Sequence, residues 1–271
     1  MAKREQARQP GAAGATPPGR RSRGRVSFDA AGPKDAHPIV FAHGIRVTRK
    51  QWLPQMRDLR RDYRVIALDL PGHGALAAAP FSLDAAAERL REVVDEQAGG
   101  RALVAGLSLG GYVAIEFARR WPERAAGLVL TGCSANPRGV LSVLPPTLAL
   151  FQRAVGDRWL TFFNEINFRL RYGEELAEQQ IEAGFFFKGT QEALHQLRGK
   201  DFRRALSTYP GPVLLLNGER DTLYRLGELR FLASTPDARL QLVHGAGHVA
   251  NLEEPAAYSR ALRRFARCID W

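Results

Sequence analysis

The stretch RALVAGLSLGG, residues 101–111, places Ser108 between glycines directly after a run of apolar residues. Residues 106–110 match the pattern GxSxG. In that pattern the serine stands on a sharp turn between a strand and a helix, and small neighbours let the strained backbone close without collision. The stretch therefore predicts a strand that ends at Ser108, a helix that follows it, and a serine hydroxyl that a base can reach.

Outward from this stretch, short apolar runs alternate with segments of helical periodicity. Several runs are continuously apolar, which is typical of strands buried on both faces of a parallel sheet. The alternation predicts an α/β fold with a mainly parallel central sheet and helices on both faces. The predicted strands are 25–30, 38–43, 64–70, 102–107, 127–132, 213–218 and 239–245. The predicted helices are 51–60, 82–97, 110–120, 224–234 and 255–267.

The alternation stops over residues 136–206, where helical periodicity and clustered aromatic residues occur without an obvious strand. So many apolar side chains exceed what a polar surface loop carries. We therefore predict a helical lid at 136–206, inserted into a core of residues 26–135 and 207–271. Some lid aromatics are expected to line an apolar pocket and the others to pack the lid itself. Those assigned to substrate binding are Trp159, Phe162 and Phe163.

Charge is concentrated at the N-terminus. The 271 residues carry a formal charge of +11, and residues 1–25 hold seven of the basic side chains against one glutamate. Their Gly-, Ala-, Pro- and Arg-rich composition predicts a disordered basic tail. The rest of the chain is mildly basic, without a groove-reading helix or aromatic residues interleaved with basic ones, so we expect no nucleic-acid partner. The sequence does not define an oligomeric state.

Location and cofactors are predicted from what the sequence lacks. No apolar run approaches the roughly 18 residues of a membrane span, and no apolar stretch of a secretory signal follows the basic N-terminus. The two cysteines, Cys133 and Cys268, form neither a metal-binding spacing nor a disulfide framework. We therefore predict a cytoplasmic protein with no metal site, no cofactor and no membrane span.

Two later strands end in residues that complete a site for acyl transfer. Asp221 follows the predicted strand 213–218, and His248 follows the predicted strand 239–245. A serine nucleophile needs a base to take its proton, a carboxylate to orient that base, and donors for the oxyanion that forms. Because parallel strands end at one edge of a sheet, the order Ser108, Asp221, His248 predicts a catalytic triad at that edge.

Five segments, taken in order, resemble the α/β-hydrolase fold superfamily over about residues 26–265. They are HG at 43–44, DLPGHG at 69–74, GLSLGG at 106–111, NGERD at 217–221 and GAGHVANLEEP at 245–255. Lid-bearing members with this pattern include carboxylesterases, carbon–carbon bond hydrolases, lactonases and cofactor-free haloperoxidase-like enzymes. Their dehalogenase relatives have an aspartate where this chain has Ser108, which disfavours halide displacement.

The resemblance implies a role for each residue of the site. Ser108 would be the nucleophile, His248 the general base and then acid, and Asp221 the group that fixes the histidine tautomer. The oxyanion donors would be the backbone N–H groups of Ile45, after HG, and of Leu109, after the elbow serine. A donor of this kind typically contributes about 3 kcal/mol to lowering the barrier.

Rival residues exist for two members of the triad. His244 competes with His248, but it lies within a predicted strand rather than after the glycine-rich turn. Glu219 competes with Asp221, and the family's spacing from Gly218 favours Asp221.

The other residues near the predicted site have less certain roles. Arg46 would bind an acidic group of the substrate or remain a solvated loop arginine. We assign Trp52 to the wall near the elbow and Tyr112 to the first helical turn after it, both in contact with substrate. His43 and His73 are expected to bond turn backbones beside the site.

These features predict a hydrolase that cleaves an ester, thioester or lactone with an apolar portion through an acyl-enzyme. A carbon–carbon bond hydrolase or lyase with the same triad is an alternative. A non-catalytic receptor for a small ligand is a third interpretation, because a fold does not determine a function.

Overall fold

Seven strands form the central sheet. The computed structural model describes residues 27–138 and 144–271. The strands are β1 (Phe28–Ala31), β2 (Pro38–Ala42), β3 (Arg64–Leu68), β4 (Ala102–Leu107), β5 (Ala125–Thr131), β6 (Val213–Gly218) and β7 (Ala238–Val243). Their order is β1-β3-β2-β4-β5-β6-β7, with β1 antiparallel to β3 and the other neighbours parallel. The predicted α/β fold with a mainly parallel sheet is confirmed, and the strand ends differ by a few residues.

Helices connect the strands. The α-helices are α1 (Leu53–Leu59), α2 (Leu83–Gln97), α3 (Leu109–Arg120), α4 (Leu144–Val155), α5 (Asp157–Tyr172), α6 (Glu174–Ala183), α7 (Phe187–Leu197), α8 (Phe202–Leu206), α9 (Thr222–Arg225), α10 (Glu228–Leu232), α11 (Ala250–Glu253) and α12 (Pro255–Ala266). The 3₁₀ helices are Arg49–Trp52, Gly74–Leu76 and Pro122–Arg124. Among the helices of residues 27–138 and 144–271, none has the length and apolar character of a membrane span.

The prediction of one helix over residues 224–234 is wrong. The structure has two short helices there, α9 and α10, with Gly227 between them. A Cβ atom at Gly227 would lie 1.9 Å from the carbonyl oxygen of Ser134. The backbone approaches that carbonyl so closely that only glycine fits, and this packing interrupts the helix.

The two faces of the sheet are covered by different helices. In β2, Val40 and Ala42 pack into a core with α2 and α3, whereas Ile39 and Phe41 pack into a second core with α1 and α12. All four side chains are fully buried. Alternate residues of a strand point to opposite faces, so a strand covered on both sides is continuously apolar.

Between β5 and β6 the structure describes five helices in succession, α4 to α8. Phe202 and Leu206 of α8 are buried in the same core as α3. The helix α5, in contrast, has no buried residue. The assignment of residues 136–206 as a lid stays a prediction, and the predicted disordered tail, residues 1–25, lies outside the described residues.

Candidate active site

Ser108 stands at the turn between β4 and α3. Its backbone has φ 53° and ψ −112°, in the left-handed half of conformational space that residues with a side chain rarely adopt. Its N–H donates to the carbonyl oxygen of Thr131, at the end of β5, over 2.7 Å. The side chain is mostly buried, with 7% exposed. The hydroxyl is therefore fixed at the carboxyl edge of the sheet.

Glycines around Ser108 make this turn possible. A Cβ atom at Gly110 would lie 2.0 Å from the carbonyl oxygen of Ala42, at the end of β2. A Cβ atom at Gly106 would lie 2.3 Å from the carbonyl oxygen of Gly110. Both distances are far inside van der Waals contact, so the GxSxG spacing reflects how closely β2, β4 and α3 meet.

His248 and Asp221 form a half-buried pair. Asp221 follows β6 and His248 follows β7, and the histidine Nδ1 lies 2.8 Å from the Asp221 Oδ2. Asp221 is 6% exposed, whereas 35% of the His248 side chain is exposed. With Nδ1 donating to the carboxylate, the Nε2 atom is left unprotonated and able to accept a proton.

Gly132 connects the pair with the serine. It follows Thr131, the residue that accepts the Ser108 N–H, and it has φ 60°. A Cβ atom there would lie 2.6 Å from the His248 Cε1 and 3.5 Å from the Asp221 Oδ2. The imidazole therefore packs directly against Gly132, next to the residue that accepts the Ser108 N–H, and a residue with a side chain at Gly132 would displace it.

Tyr224, on α9, is a residue of the site that sequence reasoning missed. Its ring stacks on the His248 imidazole, with centroids 4.6 Å apart and planes at 25°. Burial raises the pKa of Tyr224, and a hydrogen bond with the Ser108 side chain offsets part of that rise. Its N–H lies 3.5 Å from the Asp221 Oδ1. Tyr224 thus contacts every member of the predicted triad, and its position three residues after Asp221 was the available signal.

His244 and Glu219, the alternatives to the two predicted triad members, lie apart from the His248–Asp221 pair. His244 is 94% exposed, and its Nδ1 lies 2.8 Å from the Glu219 Oε2. A backbone hydrogen bond from Gly245 lowers the pKa of Glu219, with smaller contributions from neighbouring charges. Glu219 and His244 thus form a surface pair of their own.

The loop after β2 is held by the buried side-chain amide of Gln51. The Gly44 N–H donates to the Gln51 Oε1 over 2.8 Å. Within residues 27–138 and 144–271, the N–H groups of Ile45 and Leu109 donate to no backbone or side-chain acceptor. These are the two N–H groups that the sequence assigned to the oxyanion.

The same amide belongs to a network that reaches α11. The Asn251 Nδ2 donates to the backbone oxygen of Gln51 over 3.0 Å and lies 3.2 Å from the Gln55 Oε1. The Gln55 Nε2 donates to the backbone oxygen of Asn251 over 2.9 Å. All three side chains are at most 2% exposed. The network joins the loop after β2 to the helix that follows His248.

We expect Gln51→Leu to lower kcat by about 10- to 100-fold, with a smaller change in KM, since the loop carrying Ile45 loses its support. Steady-state kinetics and urea unfolding measure the two effects. Gln55→Leu is the matched control, because it also removes a buried amide but does not contact Gly44. Each variant should lose roughly 1–3 kcal/mol of stability. Equal losses of kcat in both variants would contradict a specific role for Gln51.

His43 and His73 bond backbone atoms, as the sequence predicted. The His43 Nε2 accepts the Leu70 N–H over 3.0 Å, so its Nδ1 carries the proton and donates to the Gly44 oxygen over 2.7 Å. The His73 Nδ1 lies 3.0 Å from the Pro71 oxygen. Burial lowers the pKa of His43, and it lowers the pKa of His73 to about 3. Both imidazoles are therefore neutral near pH 7.

Two of the residues assigned to substrate contact are buried in the core. Trp52 is fully buried, and its ring stacks on Phe41 at 4.8 Å, in the core that contains α1 and α12. Tyr112 is 4% exposed, donates its hydroxyl to the Ala135 oxygen over 2.6 Å and packs on Phe202. Since neither ring has an accessible face for a ligand, these placements correct the assignment of Trp52 and Tyr112 to substrate binding.

The three aromatic residues of α5 contact one another. Trp159, Phe162 and Phe163 have ring centroids 5.8 to 6.3 Å apart, and each side chain is about half exposed. They form a stripe along one side of α5. Their predicted contact with substrate stays a prediction.

Arg46 is half-buried, and within the described residues it pairs with no carboxylate. Its Nη1 donates to the Asn164 Oδ1 of α5 over 3.0 Å, and its guanidinium lies 5.8 Å from the centre of the Phe187 ring. Burial lowers the pKa of Arg46. The prediction of a solvated loop arginine is wrong, because the helices between β5 and β6 cover the side chain.

Comparisons with known proteins agree with this architecture. A family model described as the alpha/beta hydrolase family matches residues 39–261. The chain is 30% identical to a pimeloyl-[acyl-carrier protein] methyl ester esterase of Aromatoleum aromaticum, over 80% of this chain and 93% of that protein. It is 25% identical to carboxylesterase YbfK of Bacillus subtilis, over 89% of this chain and 84% of that protein.

A solved structure has the same fold. A thermophilic esterase from Thermogutta terrifontis superposes with a TM-score of 0.76 at 24% identity, covering 89% of this chain and 93% of that one. The family match spans most of the sheet, including the elbow at Ser108, Asp221 and His248. The chain therefore belongs to the alpha/beta hydrolase family of enzymes.

Proposed function

We propose that this protein cleaves a carboxylic ester, thioester or lactone through an acyl-enzyme formed on Ser108. The observation that carries the proposal is the half-buried His248–Asp221 pair, 2.8 Å apart, packed against Gly132 beside the residue that accepts the Ser108 N–H. A serine in a strained elbow beside an oriented imidazole is the arrangement that acyl transfer requires.

In the first half of the reaction, the Ser108 Oγ attacks the carbonyl carbon and the His248 Nε2 takes the hydroxyl proton. The Asp221 carboxylate holds the imidazole and stabilises the imidazolium that forms. The N–H groups of Ile45 and Leu109 face the developing oxyanion in this proposal, and they are free of other acceptors in the described part of the chain. The imidazolium then gives its proton to the leaving alcohol or thiol.

In the second half, water attacks the acyl-enzyme. The His248 Nε2 takes a proton from the water and returns it to the Ser108 Oγ as the acid leaves. Tyr224, stacked on the imidazole, covers one face of it during both steps.

The choice of an ester rests partly on relatives. The pimeloyl-[acyl-carrier protein] methyl ester esterase and carboxylesterase YbfK are named for ester cleavage. The exposed aromatic stripe of α5 supports a substrate with an apolar portion. The cytoplasmic location stays a prediction from the sequence.

The test is intact-mass analysis after treatment with a fluorophosphonate, which reacts with an activated serine without the need for the natural substrate. We expect one adduct on the wild-type protein and none on Ser108→Ala. The control is Ser134→Ala, which removes the hydroxyl of another buried serine and should leave the adduct in place. A folded wild-type protein that forms no adduct, or an adduct that persists in Ser108→Ala, would contradict the proposal.

A further inference from the structure

Arg46 differs from the other basic residues of its loop. Arg49 and Lys50 both pair with carboxylates: Arg49 with Asp29 and Asp69, and Lys50 with Asp29. Within residues 27–138 and 144–271, Arg46 pairs with no carboxylate, and its buried Nε donates to nothing. A guanidinium covered by protein without an anion loses hydration that no opposite charge replaces.

The neutral partner of Arg46 is held in one orientation. The Asn164 Nδ2 donates to the Leu160 oxygen over 2.6 Å, so its Oδ1 is the atom that faces the guanidinium. An amide oxygen satisfies one of the five N–H donors of an arginine and neutralises no charge. The remaining donors keep their capacity to bind a carboxylate in a two-pronged arrangement.

The backbone conformation of Arg46 adds a second unfavourable contribution to the stability of the fold. Its φ is 75°, which is strained for a residue with a side chain, and its carbonyl oxygen accepts the Phe186 N–H over 2.8 Å. Glycine would meet the same backbone geometry without strain. A strained backbone and a half-buried cation without an acidic partner at one position indicate a functional demand for that side chain.

The position of Arg46 tells which part of a substrate it reaches. It follows Ile45, whose N–H is the proposed oxyanion donor, and neighbouring Cα atoms are about 3.8 Å apart. The leaving group must lie beside His248, which protonates it. A group held from the loop after β2 is therefore on the acyl portion, within one arginine side chain of the reacting carbonyl.

We propose that Arg46 binds a carboxylate on the acyl portion of the substrate, so that the preferred substrates are monoesters of dicarboxylic acids. This inference rests on the proposed function and narrows its substrate class.

The test compares monomethyl esters of dicarboxylic acids having five to eight carbons with methyl esters of monocarboxylic acids of the same carbon number. We expect the wild-type kcat/KM to favour the charged member of one or more pairs by about 10- to 100-fold. Arg46→Gln keeps a side chain at the strained position and should remove that preference, because kcat/KM falls much further on the charged ester than on the neutral one. Lys50→Gln, which removes one positive charge from the same loop, should leave the preference intact.

Asn164→Asp distinguishes a substrate-binding role of Arg46 from a purely structural role, in which Arg46 only holds the loop after β2 to α5. An aspartate at this position would pair with Arg46 and strengthen the contact between the loop and α5. A purely structural role therefore predicts unchanged or higher activity on both esters. A carboxylate site predicts a selective loss on the charged ester, because the new anion competes with it. No wild-type preference, or equal losses on both esters in Arg46→Gln, would overturn the inference.

Binding gives a readout that does not depend on turnover. In Ser108→Ala, calorimetry should detect tighter binding of the monomethyl ester than of its neutral counterpart, and Arg46→Gln in that background should remove the difference. Equal binding of the two esters would overturn the inference even if the protein forms the fluorophosphonate adduct. Tighter binding of the charged ester without any adduct would instead contradict the proposed function alone.

Discussion

We expect His248→Ala to lower kcat/KM for an ester substrate by about 10⁴-fold or more, because the proposed acyl transfer loses its only oriented base. Without the imidazole, the proton of Ser108 has no acceptor as the hydroxyl attacks. Steady-state kinetics on an activated ester measure the loss, and circular dichroism reports that the variant is folded. The fluorophosphonate labelling rate should fall in parallel.

His244→Ala is the matched control for this experiment. His244 and His248 each place Nδ1 2.8 Å from a carboxylate oxygen, but 94% of the His244 side chain is exposed, against 35% for His248. The control should retain kcat/KM within about twofold, since a surface ion pair of this kind contributes little. A large loss in His244→Ala, or wild-type activity in His248→Ala, would show that the pair with Asp221 is not the catalytic one.

The largest expected effect on stability is that of Gly110→Ala. The added Cβ would lie 2.0 Å from the Ala42 oxygen and 2.8 Å from the His43 oxygen, and both are backbone atoms that cannot rotate away. The collision is relieved only if β2 and α3 move apart, which should lower the free energy of unfolding by about 3 kcal/mol or more. Because 1 kcal/mol of stability corresponds to roughly 2–4 °C in Tm for a domain of this size, the midpoint of thermal unfolding should fall by at least about 6 °C.

Gly99→Ala distinguishes collision from backbone strain. Gly99 also has a positive φ, 67°, but a Cβ there would have nothing within 4 Å. This variant should lose only about 1–2 kcal/mol, the cost of the left-handed conformation. If both variants melt at the same temperature, the close contact between β2 and α3 does not determine the stability of the elbow.

The strands and the elbow could be predicted because their signals are local. A strand buried on both faces must be apolar at successive positions, and the glycines around Ser108 are required by collisions within a few residues. The positions of Asp221 and His248 after β6 and β7 follow from where parallel strands end. For these features, the physical constraint and the sequence pattern cover the same short segment.

The surroundings of the site depend on contacts between distant segments, and the sequence does not encode these locally. Periodicity does not say which face of the sheet receives Trp52, and the structure places it in the core with α1 and α12. The stacking of Tyr224 on His248 joins two separate segments, one after β6 and one after β7, so no local pattern predicts it. The isolation of Arg46 from carboxylates becomes visible only when α5 and α7 are placed beside it.

The amide network also sets an order of events during synthesis. Gln51 and Asn251 are 200 residues apart in the chain. Ribosomes add about 5–20 residues per second, so roughly 10–40 s separate the synthesis of these two residues. Throughout that interval the loop that presents the Ile45 N–H lacks its partner on α11. A nascent chain therefore lacks this support for the loop until α11 has emerged, and a chain truncated before α11 never acquires it.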